Sequence, residues 1–398
     1  MIKLAADKVC TGCMACSDVC NVDAISLALK NNHYYPSVDS TKCVECGRCV
    51  KSCPILTTVQ KNEVVGMHAY GGWAKDAQMR HNAASGGAFA ALATSFCRIH
   101  EGEVAIYGAA LRNDNRVEHQ RISSVEDIPL LMNSKYIQSL TQGIYRKVLE
   151  DIRQGLWVMF SGTPCQIAGL YGFLGKKRDY EKLVTVELVC HGIPGFEALD
   201  IHLEYSKSPR ILSFRNKEKG QYWYVSQCTT VERDGKPYTF KRKDDVFYSI
   251  FSGWLLDRLS CSNCQYSSLN RVADITLADF WGGAPCEADY KEGVSLIIAN
   301  NCKADGCVRS SSDLYVYEST LKKAVSSNSN MYNGFKYIQY HPLVMFPNFF
   351  RKILLRKLWI AIVINHMPWR LFWAVFKVLT ILHIKRRRKE TMKYIDTL

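Results

Sequence analysis

Eight cysteines near the amino terminus form two runs with one shared spacing, Cys-x2-Cys-x2-Cys-x3-Cys. The runs are Cys10, Cys13, Cys16 and Cys20, then Cys43, Cys46, Cys49 and Cys53. Thiolates at this spacing bind the irons of a [4Fe-4S] cubane, and the fourth cysteine of each run binds the other cluster. The predicted ligand sets are therefore Cys10, Cys13, Cys16 and Cys53 for one cluster, and Cys43, Cys46, Cys49 and Cys20 for the second.

The residues after each run test this interpretation. Pro54 stands where the signature has proline, whereas Asn21 follows the first run and departs from the pattern. Structural zinc and a disulfide framework are the alternatives, but zinc sites normally use two cysteine pairs with a longer insert between them. Residues 1–62 resemble the bacterial two-cluster ferredoxin module, in which each half is a cysteine loop followed by a short segment, such as residues 24–27, that could be a strand. Such a module passes single electrons, so a second redox site is expected downstream.

Two further cysteines follow strand-like segments in the middle of the chain. Residues 157–161 have the apolar pattern of a buried strand, and a helical stretch follows them. Thr163 can cap this helix with Pro164 in its first position, which places Cys165 in the first turn, where the helix dipole favours the thiolate. A second predicted strand ends at Cys190. Because open α/β sheets bind ligands at the carboxyl ends of their strands, we expect both cysteines at that edge.

Cys261 and Cys264 form a Cys-x2-Cys pair ahead of another strand-like segment, residues 273–277. Alone, such a pair suits zinc, a redox-active dithiol or an iron-sulfur cluster. Together with Cys165 and Cys190 it supplies four thiols, which favours a third [4Fe-4S] cluster. The alternative is a catalytic dithiol with two buried thiols. The other five cysteines show no ligand spacing and are predicted to be structural: Cys97, Cys228, Cys286, Cys302 and Cys307.

A helix start near residue 85 is a weaker candidate for an anion site. From about residue 66, apolar runs alternate with glycine turns, which indicates an α/β fold. Ser85 precedes Gly86, Gly87 and an apolar helical run, so we predict Ser85 as the N-cap of that helix. The glycines would let backbone amides approach an anion. A capped core helix without a phosphate site is the alternative.

The composition limits compartment and partners. The 398 residues allow two or three domains, and 47% hydrophobic residues can fill a sizeable core. The 17 cysteines, with no recognisable secretory signal, predict a reducing compartment, the cytoplasm. Two or three clusters would offset about 4 to 6 of the formal charge of +14, and a flavin dinucleotide about 2 more. We find no nucleic-acid-binding motif.

Together, these motifs resemble the family of coenzyme F-420 hydrogenase/dehydrogenase beta subunits, here with an N-terminal two-[4Fe-4S] ferredoxin domain. The matching stretches are Ala84-Ser85-Gly86-Gly87, Ser134-Lys135-Tyr136, Gly162-Thr163-Pro164-Cys165-Gln166, Cys190-His191-Gly192, Phe214-Arg215, Cys261-Ser262-Asn263-Cys264 and residues 273–282. The resemblance implies a flavin, usually FAD, beside a cubane whose ligands are Cys165, Cys190, Cys261 and Cys264. The residues implied to form the flavin pocket are Ser85, Gly86, Gly87, Lys135, Thr163 and Asp279.

The expected fold class is α+β or α/β, with a ferredoxin-like module ahead of a mixed α/β flavin- and cluster-binding domain and a basic helical region at the carboxyl end. The expected boundaries are 1–62 for the ferredoxin-type domain, 66–145 for the family's N-terminal α/β segment, 146–335 for its C-terminal α/β domain and 340–398 for the tail. The tail carries two apolar runs, residues 358–364 and 371–384, each too short to span a bilayer. We expect two helices in the membrane interface, at the inner face, or a hairpin packed on the core.

The combined expectation is an iron-sulfur flavoprotein oxidoreductase. A flavin exchanges electron pairs as hydride and releases them singly to clusters, so the pairing joins hydride chemistry to one-electron transfer. Expected partners are an electron donor or acceptor protein and a small-molecule or lipid-linked substrate, as in surface-polysaccharide biosynthesis. His191 is the candidate catalytic residue, and a structural histidine is its alternative. The alternative functions are an electron-transfer adaptor without its own substrate and a zinc-binding scaffold.

Overall fold

The computed structural model describes residues 2–175, 180–217, 222–223, 228–252, 256–326, 328–332 and 388–397. Its helices are α1 (Ala15–Asp18), α2 (Arg48–Lys51), α3 (Ala77–Asn82), α4 (Ala88–Ile99), α5 (Ile128–Leu131), α6 (Ile144–Arg153), α7 (Pro164–Phe173), α8 (Phe196–Ser206), α9 (Val246–Ser252), α10 (Glu287–Glu292), α11 (Cys302–Ser310) and α12 (Leu321–Ser326). Short 3-10 helices span Arg242–Asp244, Leu259–Asn263 and Ser329–Met331. A terminal helix covers residues 388–395.

The strands form three sheets. They are β1 (Ile25–Lys30), β2 (His33–Val38), β3 (His68–Ala74), β4 (Val104–Leu111), β5 (Val117–Ile122), β6 (Ser139–Leu140), β7 (Trp157–Gly162), β8 (Leu183–Leu188), β9 (Ile211–Ser213), β10 (Thr230–Arg233), β11 (Lys236–Thr239), β12 (Ile275–Asp279), β13 (Ser295–Ala299) and β14 (Leu314–Ser319). Strands β1 and β2 form a hairpin, and β11, β10 and β9 form a small antiparallel sheet.

The central sheet has nine strands in the order β14, β3, β13, β12, β8, β7, β4, β5, β6. Its middle strands β12, β8, β7 and β4 are parallel neighbours. Antiparallel pairs extend the sheet on both sides, and β6 pairs in parallel with β5 at one edge. The carboxyl ends of β7, β8 and β12 therefore lie side by side. This arrangement confirms the mixed α/β class and brings Cys165 and Cys190, which closely follow β7 and β8, to one edge.

Apolar residues bury both faces of this sheet. On β4, Val104, Ile106 and Ala110 belong to the core that includes α4 and α11. The alternate residues Ala105 and Tyr107 belong to a second core with α6 and α7. Parallel strands covered on both faces carry nearly continuous apolar sequence, which is why β7 and β8 were recognisable. Strand β3 of segment 66–145 lies between β14 and β13 of segment 146–335, and the predicted boundary between the segments falls inside α6.

The ferredoxin-type domain shows its internal repeat in the backbone. Gly12 and Met14 have positive φ angles of 71° and 60°, and the equivalent Glu45 and Gly47 have 54° and 73°. Each repeat then forms a one-turn helix, α1 or α2. Strand β1 confirms the strand expected over residues 24–27, but among the described residues no strand follows the second cysteine run before β3.

Helix α6 holds the ferredoxin domain through its first turn. The Asp18 carboxylate accepts hydrogen bonds from the backbone N–H groups of Gly143 (2.6 Å) and Tyr145 (2.9 Å) at the start of that helix. The Arg146 guanidinium donates to the carbonyl oxygens of Asp18 and Cys20, both at 2.6 Å. These bonds satisfy otherwise unpaired helix N–H groups and tie the end of α1 to the α/β domain.

We expect Arg146→Ala to loosen this attachment. The substitution removes charge-assisted hydrogen bonds to Asp18 and Cys20, a loss of about 1 to 3 kcal/mol in the local opening free energy of the α1 region. Native-state hydrogen exchange of the α1 amides measures that energy. Arg153→Ala, an exposed position on the same helix, is the control. Equal exchange in both variants would mean that Arg146 does not hold the domain.

Most of the predicted tail, residues 340–387, lies outside the described residues, and so does the interpretation of its two apolar runs. The described end does contact the core. Met392 and Ile395 pack against the apolar cluster that includes Met67 and Leu296, and Lys322 forms an ion pair with Asp396 at 2.7 Å. Within the parts of the chain that the structure describes, no helix has the length and apolarity to span a membrane.

Candidate functional site

The structure brings Cys53 to the first cysteine run. Burial raises the pKa of Cys16 well above its usual value, with smaller contributions from the nearby thiolates of Cys13, Cys10, Cys53 and Cys49. Contributions from Cys10 and Cys53 also appear in the raised pKa of Cys13. The set is buried at its first three members. Cys53 therefore acts electrostatically on the first run, as the crossed ligand set requires, while both ligand sets stay predictions.

The second set lies nearer the surface. Burial raises the pKa of Cys49, and the neighbouring thiolates of Cys46 and Cys20 add to this effect. Cys20 Sγ accepts a hydrogen bond from the Ala24 N–H at 3.4 Å. Cys46 is exposed, whereas Cys10, Cys13 and Cys16 of the other set are buried. The ferredoxin domain thus presents one cysteine set to solvent and the other to the α/β domain.

Four cysteines from three regions line one small cavity, defined here as the central cavity. Cys165 lies in the first turn of α7, Cys190 follows β8, and Cys261 and Cys264 lie at the 3-10 helix Leu259–Asn263. Burial raises the pKa of Cys165 to about 11, so desolvation outweighs the helix dipole that the sequence suggested. Cluster binding displaces the thiol proton, so the raised pKa of Cys165 means that a cluster here must release a tightly held proton.

Two buried arginines flank the central cavity. Arg258 is 2% exposed, donates from Nε to the Cys10 carbonyl at 2.8 Å, and lies 3.8 Å above the Tyr35 ring. No described carboxylate forms an ion pair with Arg258, whereas Arg271 pairs with Glu187. A buried cation without a carboxylate needs another source of negative charge. A [4Fe-4S] cubane bound by four thiolates would carry a net charge of about −2, which would supply the negative charge that Arg258 requires.

Helix α7 joins the first cysteine set to the central cavity. A methyl group on Gly169 would come within 2.9 Å of Cys13 Sγ, so the helix surface contacts this thiol directly. Cys165 lies four residues earlier on the same helix. Burial is the largest cause of the raised pKa of Cys13, and the thiolates of Cys10, Cys53 and Cys165 add smaller contributions in that order. The two sets are therefore neighbours across a single helix turn.

A larger cavity of about 290 Å³, defined here as the redox cavity, adjoins the central cavity. The two share Cys190, Gly192 and Ile193 as a common wall. Its size is near the lower end for small-molecule sites. The predicted flavin residues that line it are Ser85, Gly87, Lys135, Thr163 and Asp279, and His191 lines it as well.

Gly86 does not line the redox cavity. A Cβ atom there would come within 2.6 Å of the Gly72 carbonyl oxygen and of the Ser295 N–H nitrogen, so this glycine allows the loop to pack on the sheet. The prediction that Ser85 caps α4 is wrong. The N-cap is Gly87, with φ 82°, while Ser85 Oγ donates to the Val294 carbonyl at 3.0 Å. Glycine occupies this position because it adopts positive φ without steric cost.

The cap of α7 is as predicted. Thr163 precedes Pro164, and its N–H donates to Gln166 Oε1 at 2.9 Å in a capping box. This fixes the loop that separates the two cavities. Sequence reasoning assigned no role to Gln166, although it stands inside a matched motif, and no role to Arg258 or Arg271. Arg258 and Arg271 could not be identified from the sequence, because no short spacing connects them to the cysteines.

The five cysteines predicted to be structural line neither cavity. Within the described part of the chain, no three His, Cys, Asp or Glu side chains converge on a point suited to a single metal ion. A cubane binds its thiolates at separate corners, so this finding concerns single ions and not clusters.

Comparison with known proteins shows which families the two cysteine-bearing regions match. Residues 156–322 match the carboxyl terminus of the coenzyme F420 hydrogenase/dehydrogenase beta subunit, and residues 9–56 match the 4Fe-4S dicluster domain. The chain is 24% identical to a subunit of the F(420)H(2) dehydrogenase of Methanosarcina mazei over 297 residues, 70% of this chain and 76% of the relative. A chain of the F420-reducing NiFe hydrogenase complex of Methanosarcina barkeri shares 16% identity with a TM-score of 0.44, covering 68% of this chain and 92% of that chain.

The two matched regions contain the eight cysteines of the ferredoxin-type domain and the four cysteines that line the central cavity, whereas Ser85, Gly87 and Lys135 of the redox cavity precede the second region. The chain is therefore an iron-sulfur electron-transfer protein related to coenzyme F420 hydrogenase/dehydrogenase beta subunits, with an amino-terminal 4Fe-4S dicluster domain.

Proposed function

We propose that the protein is an iron-sulfur flavoprotein oxidoreductase with a third [4Fe-4S] cluster in the central cavity and FAD in the redox cavity. The observation that carries this proposal is the common wall: Cys190 lines both cavities, and His191 follows it into the redox cavity. A flavin there would exchange electron pairs with a substrate and single electrons with a cluster.

The donor sets fit these groups. Cys165, Cys190, Cys261 and Cys264 supply four thiols around the central cavity, and the flanking arginines offset the charge of a cluster. In the redox cavity, Lys135 can bind an anionic part of FAD, while the loop at Thr163 shapes the wall next to Cys165. Apolar residues of α4 and β12 cover other parts of the cavity, which excludes water from a bound ring system.

The cysteine sets form a series from solvent to the redox cavity. The set with exposed Cys46 is outermost, the buried set with Cys13 is next, and the central set with Cys165 follows across α7. This order suits contact between the outer set and an electron-carrying protein. Because the matched family and the M. mazei relative are named for coenzyme F420, a hydride-carrying deazaflavin is the substrate class we would test first.

An electron-transfer adaptor with no substrate of its own is the second candidate. Its support is that the M. mazei relative is named as a subunit of a dehydrogenase. The presence of the redox cavity favours the enzyme, since a pure relay needs no ligand cavity. The proposal of a lipid-linked substrate depends on the tail, most of which lies outside the described residues.

The deciding experiment is the iron, acid-labile sulfide and flavin content of anaerobically purified protein. The enzyme should contain about twelve irons and one flavin. An adaptor would contain iron without flavin. Zinc in place of iron would remove both candidates and restore the scaffold alternative.

We expect flavin affinity to fall as the pH rises above 7. Burial lowers the pKa of Lys135 to about 7, and its Nζ donates to the Met132 and Leu130 carbonyls. Below that pH the ammonium attracts an anion; above it, binding must take up a proton, so affinity should drop by up to about tenfold per pH unit. Titration of FAD at pH 6 to 9 measures this slope. Lys135→Met should flatten it and Lys182→Met, outside the cavity, should not; a slope retained in Lys135→Met contradicts the assignment.

A further inference from the structure

The Arg215 guanidinium is buried at the wall of the redox cavity, and one of its edges carries unused hydrogen-bond donors. Arg215 is 5% exposed and lines this cavity. Its Nη1 donates to Asp279 Oδ2 at 3.0 Å. Its Nε and Nη2 are also buried, and neither makes a hydrogen bond of regular geometry among the described residues, although the Tyr136 side chain lies close enough to raise the Arg215 pKa. Buried guanidinium nitrogens are normally bonded, so this edge indicates a missing acceptor.

The open edge has the geometry of a two-point anion site. Nε and Nη2 point in the same direction and match two oxygens of a carboxylate or phosphate. Two contacts hold the group in place, the ion pair with Asp279 and the Trp223 ring, whose centroid lies 4.9 Å from the guanidinium carbon. Little side-chain freedom remains to be lost when an anion binds.

The charges of the redox cavity favour an anion as well. Its two carboxylates, Glu187 and Asp279, already pair with Arg271 and Arg215. Below pH 7, Lys135 adds a positive charge that no described carboxylate neutralises. Burial lowers the pKa of Arg215, but Asp279 and Tyr136 more than offset this and raise it, so the guanidinium stays charged.

We propose that the Nε and Nη2 edge of Arg215 binds an oxyanion with two coplanar oxygens, a carboxylate or a phosphate, in the redox cavity. Arg215 lines this cavity together with Cys190 and His191. The oxyanion belongs either to FAD, as its phosphate, or to the substrate, as an acid group. The first source rests on the proposed function, and the second does not.

Calorimetric titration of anaerobically purified full-length protein, after removal of any bound flavin, distinguishes the sources. The probes are FAD, riboflavin, oxalate and inorganic phosphate, and the variants are Arg215→Lys and Arg215→Met. Loss of two charge-assisted hydrogen bonds should weaken the affected probe by about tenfold or more. A phosphate of FAD predicts weaker FAD binding with riboflavin unchanged. A substrate acid group predicts unchanged FAD binding and loss of oxalate or phosphate binding.

Arg215→Lys keeps a cation beside Asp279, so this variant tests the two-point edge without leaving a buried carboxylate unpaired. Arg121→Met is the matched control, because Arg121 also pairs with a carboxylate, Asp151, at 2.8 Å but lies outside the redox cavity. Equal affinities for every probe in wild type and both Arg215 variants would overturn the proposal. If wild type binds no FAD, the proposed function fails, while oxalate and phosphate still test Arg215.

Discussion

Gly172→Ala should separate the ferredoxin-type domain from helix α7. A Cβ atom on Gly172 would lie 2.2 Å from the carbonyl oxygen of Ser52, which is backbone and cannot rotate away. Ordinary contact requires roughly 3.5 Å, so the two parts must move apart by about 1 Å. We expect a loss of about 1 to 3 kcal/mol, typical of added volume in a tight interface.

The displacement should have two measurable consequences. Thermal unfolding should begin at a lower temperature, and hydrogen exchange should accelerate in α7 and around Ser52. Transfer of electrons from the ferredoxin clusters to the central site should slow, since the gap between Cys13 and Cys165 across α7 would lengthen. Stopped-flow reduction followed at the flavin absorbance measures that rate, with iron content as a check that the clusters remain.

Gly306→Ala is the matched control for this prediction. Gly306 lies inside α11, and no atom outside the helix's own backbone lies within 4 Å of a Cβ placed there. Alanine should stabilise this helix by about 0.5 to 1 kcal/mol, because glycine loses more backbone entropy on folding. A loss of stability in Gly172→Ala together with a gain in Gly306→Ala would support the contact between Gly172 and Ser52. Stabilisation at both positions would show that the ferredoxin domain does not rest on α7.

Cys165→Ala should remove a whole cluster and leave the other two intact. Loss of one ligand to a four-thiolate cubane should lower the iron content from about twelve to about eight per chain. The ferredoxin sets do not use Cys165, so their iron should remain. Electron paramagnetic resonance of the reduced protein should lose one of its signals, and flavin reduction through the clusters should fall to the background rate.

Cys97→Ala is the control for that result. Cys97 is a buried thiol of α4 that lines neither cavity, and burial raises its pKa to about 11, as it does for Cys165. The two thiols therefore share a raised pKa and differ in their neighbours. About twelve irons in Cys97→Ala and about eight in Cys165→Ala would establish the central cluster. About eight irons in wild type and in both variants would make the four central cysteines a thiol site.

The spacing of residues along the sequence was enough to predict the candidate cluster ligands and several elements of the fold. The two cysteine runs, between Cys10 and Cys53, have the same spacing. They also share a local backbone conformation, since Gly12 and the equivalent Glu45 both have positive φ angles. Strands β7 and β8 and the capping box at Thr163 could also be predicted, because apolar runs and helix caps depend on neighbouring residues. The expectation that Ser85 would cap α4 failed for a local reason: a glycine with positive φ started the helix two residues later.

Only the tertiary structure decided how these parts meet. Arg258 and Cys10 are 248 positions apart in sequence yet share a hydrogen bond, and Arg215 pairs with Asp279 across 64 positions. No local pattern marks such residues, because the pairings depend on strand order in the nine-stranded sheet. The sequence by itself therefore determined which residues could bind clusters. Folding decided that the central cavity and the redox cavity share a wall, because long-range contacts are set by packing of the whole chain and not by spacing along it.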